Sequence, residues 1–274
     1  LKLMLRALGT EIPVVAKIEM FSAVEHIDEI CEVTDAIMVA RGDLGVECGF
    51  ANVASFQKKI VQAALQKGRP VIVATQMLDS MIEHRRPSIA EVCDVANAVF
   101  DHADATMLSG ESASGKYPIL AVQTMRDILN RSDRSKNLVP LHLKAAEEES
   151  ISEVLARTTV ELATRSKAAA IVSLTLTGYM AGLIAKYRPN TPIIAFSPRS
   201  DVVRKLALVR GVLSVHNNMF YDTDDAFERI IKYIVDEGYV KSGDLIVITG
   251  GIPVTQMLPT NTLKVHRVSK ADIA

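Results

Sequence analysis

Four stretches of the sequence carry ionisable or hydroxyl side chains directly after a short apolar, β-branched run. They are Lys17-Ile18-Glu19, Arg41-Gly42-Asp43-Leu44-Gly45, Thr75-Gln76 and Ser109-Gly110-Glu111. The two-residue period of a strand puts Lys17 and Glu19 on one side. Glu19 and Asp43, from neighbouring strand tips, offer two carboxylates, which is what Mg²⁺ takes when substrate oxygens and water complete its octahedron. Lys17 beside them stays charged and faces the anion that such a metal holds. An ammonium with a divalent cation is the minimal equipment for phosphoryl transfer, where the protein mainly positions groups and neutralises charge. Gly42 and Gly45 are expected to let the backbone turn tightly and to expose N–H groups to a carboxylate or phosphate. Taken singly, K-x-E and R-G-D-x-G are common as surface ion pairs and turns; at four successive strand ends on one rim they point to a site.

A repeated strand-loop-helix unit supplies those ends. Strand-like runs at Val14–Glu19, Ala36–Ala40, Val71–Thr75 and Ala105–Leu108 alternate with amphipathic stretches. Ser88 and Glu91 form an S-x-x-E capping box, Gly68 stops a helix over 52–67, and Pro118 suits a first helical turn. The spacing predicts a parallel sheet. A whole (β/α)₈ barrel needs about 250 residues, so residues 1–131 read as half of one, with the working groups at the carboxyl ends of its strands. Residues 132–150, with Pro140 and the Glu147-Glu148-Glu149 run, read as a solvated linker. Beyond it a helix over 152–165 and strands at 169–174, 192–196, 212–215, 245–249 and 263–268 predict an open α/β sandwich of about five strands over 151–274.

Composition narrows the function. Of 274 residues 49% are hydrophobic and 23% charged, and 31 basic against 32 acidic side chains give a net charge of −1, an ordinary globular balance. That balance gives no electrostatic footprint for nucleic acid or an anionic membrane, and with no tryptophan and 5% aromatics base-stacking platforms are not expected. No run of about 18 apolar residues predicts a membrane span. Cys31, Cys48 and Cys93 fit neither a disulfide framework nor a zinc site, and no secretory signal is present, so a reducing cytoplasm is expected. Gly110–Tyr117 nearly matches a phosphate-binding loop. It fails because Tyr117 replaces the Mg²⁺-holding hydroxyl, Pro118 removes a helix-start N–H and Glu111 adds a negative charge. His26, His84, His102, His142, His216 and His266 show no ligand spacing and are expected in surface or capping roles, and no G-x-S-x-G elbow is present.

The strand ends are also specific in their wording. A-K-I-E at 16–19, I-M-V-A-R-G-D-L-G-V-E at 37–47, A-T-Q-M-L-D-S-M at 74–81, A-E-V-x-D-V-A-N-A-V at 90–99 and M-L-S-G-E-S-A at 107–113 closely resemble pyruvate kinase. The likeness covers most of the chain and weakens after residue 150, where Ala185–Pro189 and Thr260–Val265 still match. It implies the last four strands of a catalytic barrel plus the whole carboxyl-terminal regulatory domain of an enzyme that passes the phosphoryl group of phosphoenolpyruvate to ADP, giving pyruvate and ATP in glycolysis. By motif position Glu19 and Asp43 would bind Mg²⁺ (or Mn²⁺), and Lys17 would stabilise the moving phosphoryl group and enolate oxygen. The backbone of Gly42 and Asp43, with the Thr75 hydroxyl, would hold the substrate carboxylate. Thr75, Ser109 and Glu111 would lie on the side from which a proton reaches the enolate carbon.

The same resemblance implies a homotetramer and a K⁺ ion whose ligands lie outside this chain. The first four barrel strands, a phosphate-gripping arginine, most of the nucleotide site and a lid domain are expected ahead of Leu1. The chain is therefore expected to be a piece of a longer enzyme and silent by itself. A half barrel leaves two open sheet edges, and a non-catalytic assembly relative that pairs through them is the alternative reading. A lyase or mutase barrel with the same Glu19 and Asp43 pair is a third, disfavoured by the Thr75 motif and the carboxyl-terminal domain. In that domain Thr175, Thr177 and Gly178 form a strand-to-helix turn suited to a phosphorylated effector or to no ligand at all. Tyr179 and Met180 replace the basic or hydroxyl residues of sugar-phosphate-activated relatives, and Gly250–Val254 leads to Pro259 instead of a glycine-rich turn.

Overall fold

Val15–Ile18 (β1), Ala36–Ala40 (β2), Val71–Ala74 (β3) and Ala105–Met107 (β4) pair in parallel in the order β1-β2-β3-β4. The computed structural model describes residues 1–10, 12–135, 141, 143, 149–256, 258–269 and 272, in two units, Leu1–Leu143 and Lys144–Ala274. In the first unit Lys2–Ala7 (α1) precedes the sheet. Phe21–Glu25 (α2), Ile27–Val33 (α3), Arg41–Cys48 (α4), Val53–Gln66 (α5), Ile89–Phe100 (α6), Gly110–Ala113 (α7) and Pro118–Asp133 (α8) connect and follow the strands.

Parallel strands covered on both faces must be apolar throughout. Ile37, Val39, Val71 and Val73 are fully buried, as are Ile60 and Ala64 of α5, in one core. Each such branched side chain contributes about 1.5–3 kcal/mol. The register brings the strands to a common rim: Ile18 lies beside Val39, Ala40 beside Ala74, and Ala74 beside Met107. At α6 the Ser88 hydroxyl accepts the Glu91 N–H at 3.3 Å and the Glu91 carboxylate accepts the Ser88 N–H at 2.7 Å, so the capping box forms as read. Pro118 opens α8, which continues to Asp133; residues 136–140, 142 and 144–148 of the 132–150 interval lie outside the described residues.

One local expectation changes. The Arg41–Gly45 stretch is the start of α4 and not a tight turn, and neither Gly42 nor Gly45 adopts a positive φ. Gly45 is small for a packing reason: a Cβ there would lie 2.6 Å from the Phe50 ring.

In the second unit Ile151–Ser166 (α9), Ala170–Leu174 (β5), Tyr179–Lys186 (α10), Ile193–Ser197 (β6), Ser200–Leu206 (α11), Val212–His216 (β7), Thr223–Asp236 (α12), Leu245–Gly250 (β8) and Thr262–Arg267 (β9) build a sheet of order β7-β6-β5-β8-β9. Only β9 is antiparallel. The chain moves outward from β5 to β6 and β7, then returns to the other side of β5 as β8, so the crevice at the carboxyl ends of β5 and β8 is a topological switch point. Among the described residues no helix is long and apolar enough to cross a membrane.

A buried polar clamp ties α9 to the end of α10. The Ser150 hydroxyl caps α9 by accepting the Glu153 N–H, and the Glu153 carboxylate accepts from the Lys186 ammonium at 2.5 Å and the Tyr187 hydroxyl at 2.7 Å. Burial opposes ionisation of Glu153, but those two hydrogen bonds outweigh it and hold its carboxyl below the usual range. A depressed carboxyl contributes stability that is present above its unfolded pKa and lost as pH falls through the folded value. Lys186 is 9% exposed, so Glu153→Gln leaves an ammonium buried without its counter-charge. This variant is expected to lose about 1.5–3 kcal/mol in urea unfolding at neutral pH, and to lose less in acid, where the wild-type carboxylate is already protonated.

Candidate active site

The carboxyl rim of the first sheet brings Lys17, Glu19, Asp43 and Thr75 together. Lys17 and Glu19 leave β1 on the same side, and the Lys17 ammonium hydrogen-bonds the Glu19 carboxylate and, at 2.8 Å, the Asp43 carboxylate at the start of α4. All three side chains are half-exposed. The hydrogen bond to Asp43, then that to Glu19, raises the Lys17 pKa, and the same contact lowers that of Asp43. Two carboxylates reaching one ammonium have their oxygens turned toward one small volume. That arrangement suits Mg²⁺, which is typically held by one or two carboxylates with substrate phosphates and water completing the shell. Among the described residues no three His, Cys, Asp or Glu side chains gather into a closed metal cage.

Thr75 sits one residue past β3 with φ +66°, and Gln76 follows at +52°. For a β-branched residue this left-handed backbone is strained, at a cost of order 1–3 kcal/mol. Arg41 offsets it. Its guanidinium, 5% exposed, donates to the Thr75 carbonyl at 2.8 and 3.2 Å and to the Gln76 carbonyl at 2.7 Å, and pairs with Asp94 at 2.6 Å. Hydrogen bonds from a charged donor are worth about 1.5–3 kcal/mol each. So held, the Thr75 hydroxyl accepts the Gly42 N–H at 2.9 Å and donates to the Ala74 carbonyl at 2.6 Å. The Gly42 N–H is thus engaged inside the protein and is not a free donor.

Ser109 and Glu111 are placed differently. Ser109 is the residue before α7, while Glu111 is 1% exposed and its two carboxylate oxygens accept the backbone N–H groups of Leu78 at 2.9 Å and Ser109 at 2.7 Å. Glu111 therefore ties the segment after β3 to the segment after β4. Residue-by-residue reading missed Arg41 as a holder of the Thr75 segment, because an arginine directly after a strand normally signals a solvent-facing turn. The Gly110–Tyr117 decoy begins with the single helical turn Gly110–Ala113, with that buried Glu111 inside it.

In the second unit Thr175, Thr177 and Gly178 link β5 to α10. The Thr175 hydroxyl accepts the Gly178 N–H at 3.0 Å and the Thr177 hydroxyl accepts the Tyr179 N–H at 3.3 Å. Gly178 has φ +78°, and a Cβ there would press within 3.2 Å of Leu206. Cys31 is buried, which pushes its thiol up to about 11, and all three cysteines are free.

A parallel four-strand sheet with an ammonium and two carboxylates on its carboxyl rim, joined in sequence to a second unit built on a five-strand sheet, defines an α/β protein of two units. A family model described as pyruvate kinase, barrel domain, matches residues 1–122, and one described as pyruvate kinase, alpha/beta domain, matches residues 153–266. The chain belongs to the pyruvate kinase family. It is 43% identical over 262 residues to a pyruvate kinase of Clostridium acetobutylicum, covering 95% of this chain and 55% of that protein. It is 43% identical over 261 residues to one of Geobacillus stearothermophilus, covering 94% and 44%. A crystal structure of a pyruvate kinase from Cryptosporidium parvum matches with a TM-score of 0.85 and 34% identity, over 93% of this chain and 51% of that one. The chain thus spans about half the length of these relatives.

The charge geometry at the rim has a direct readout. In Lys17→Met the Asp43 carboxyl loses the contact that depresses it, so its carbon-13 NMR titration is expected to move up toward the ordinary aspartate range. An unchanged titration would mean that the ion pair does not persist in water.

Proposed function

We propose that this chain supplies the carboxyl-terminal half of a pyruvate kinase active site, which transfers the phosphoryl group of phosphoenolpyruvate to ADP and yields pyruvate and ATP. The observation that carries this reading is the meeting of Lys17, Glu19 and Asp43 at one rim, beside a Thr75 hydroxyl fixed by Arg41. Glu19 and Asp43 would hold Mg²⁺ (or Mn²⁺). When bound, that ion supplies charge neutralisation between the phosphoryl group and the developing enolate.

The ammonium of Lys17 faces the same volume. Its raised pKa keeps it protonated, so it acts as a fixed positive charge for the transferring phosphoryl and the enolate oxygen and not as a base. The Asp43 N–H at the start of α4 would receive the substrate carboxylate, and the Gly42 N–H and the Thr75 hydroxyl, here paired with each other and with the Ala74 carbonyl, would have to turn to it on binding. Thr75 and Ser109 form the side from which the enolate carbon is protonated. Glu111, spent on two backbone N–H groups, acts there by fixing Ser109 and Leu78.

The proposal extends to a division into a barrel half over 1–131, a linker over 132–150 and a regulatory domain over 151–274, with the Thr175–Gly178 turn as part of an effector site. It also includes a cytoplasmic homotetramer and a K⁺ ion held by residues outside this chain. The family match supports these finer points.

A chimera tests the reading. The amino-terminal portion of the Clostridium acetobutylicum enzyme that precedes its match is joined ahead of Leu1 and assayed with phosphoenolpyruvate, ADP and Mg²⁺. The chimera is expected to turn over while the isolated chain does not, and Lys17→Met is expected to lower kcat about 10²–10³-fold. A folded chimera that binds phosphoenolpyruvate without turnover would favour the non-catalytic assembly reading instead.

A further inference from the structure

The crevice at the switch point of the second unit encloses a cavity of about 350 Å³. That volume falls in the range of small-molecule sites, roughly 300–1,000 Å³. Its walls come from the carboxyl ends of β5, β6, β7 and β8. Leu174, Leu176, Met180, Phe196, Phe220 and Leu258 are among its apolar walls, and Gly251 forms part of the wall where a Cβ would lie 2.1 Å from the Leu258 carbonyl oxygen. Among the described lining residues there is no lysine, arginine or histidine.

A phosphorylated ligand needs cations or free N–H groups. Two N–H groups of the β5–α10 turn are already taken, Gly178 by Thr175 and Tyr179 by Thr177. Placing a dianion against this apolar wall therefore brings a desolvation cost with little to offset it. The polar groups that remain are few and neutral: Ser152, Thr175, Thr177, Thr260 and Asn217 line the space. Hydroxyls among apolar walls favour a ligand that brings one polar group able to pair with them.

We infer that this cavity binds a largely apolar, uncharged small molecule of about two fused rings that carries a hydroxyl or similar polar group, in preference to a sugar phosphate. Its regulatory consequence rests on the effector-site reading given above; the binding itself rests on the cavity.

The test uses 2-naphthol, an uncharged two-ring alcohol, and glucose 6-phosphate, each titrated into the nitrogen-15-labelled full chain. Saturable amide shifts with 2-naphthol that cluster at Thr177, Tyr179, Asn217 and Phe220 are expected, with binding at least tenfold weaker for glucose 6-phosphate. Leu258→Glu, at a 39% exposed position, is expected to weaken 2-naphthol about tenfold with unchanged circular dichroism. Val254→Trp, which fills the cavity from a half-exposed turn, serves the same purpose should the first variant fail to fold. Tighter binding of glucose 6-phosphate, no saturation by 2-naphthol, or shifts scattered over both units would overturn the inference. Binding of 2-naphthol without any change in turnover of the chimera leaves the inference standing and removes the effector reading.

Discussion

Parallel pairing is the constraint on which both units depend. A parallel ladder forces each strand to start at the same end, so every loop that follows a strand opens on one side. In the first unit this delivers Glu19, Asp43, Thr75 and Ser109 to one rim although they are spread over some ninety residues of chain. In the second it delivers the turns after four strands to one crevice. Chemistry at the rim and the cavity at the crevice are two uses of the same geometric rule.

Within that frame the site is held by charges facing the backbone. Arg41 spends its guanidinium on the carbonyls of Thr75 and Gln76, and Glu111 spends its carboxylate on the N–H groups of Leu78 and Ser109. These two residues carry opposite charge and do the same job, fixing a loop from beneath so that its hydroxyl meets the rim in one position. Lys17, Glu19 and Asp43 remain half-exposed to solvent.

Much of this was legible in the sequence. The strand positions, the Ser88–Glu91 box and the Pro118 helix start follow from local rules of periodicity and capping, and those rules operate over a few residues. The juxtaposition of Lys17, Glu19 and Asp43 follows from two strand ends and parallel pairing. What stayed hidden depends on distant partners. The helical start of α4, the left-handed Thr75 and the inward turn of Arg41 are decided by contacts between segments more than thirty residues apart, which override the local preferences of Gly42 for a turn and of threonine for extended backbone. The apolar character of the crevice was visible only as the absence of expected basic residues at Tyr179 and Met180. Its shape required four loops to be assembled at once.

The two sheets differ in when they can be completed. In the order β1-β2-β3-β4 each strand lies beside its successor in sequence, so the first sheet grows by adding one neighbour at a time as the chain emerges. In the order β7-β6-β5-β8-β9 the central strand β5 gains its second neighbour only when β8 arrives, after two further strands and their helices. Closing that long intervening loop carries an entropic cost that the neighbour-by-neighbour order of the first sheet avoids. Until β8 is made, one edge of β5, apolar but for Ser173, stands open to wrong pairing in a nascent or truncated chain.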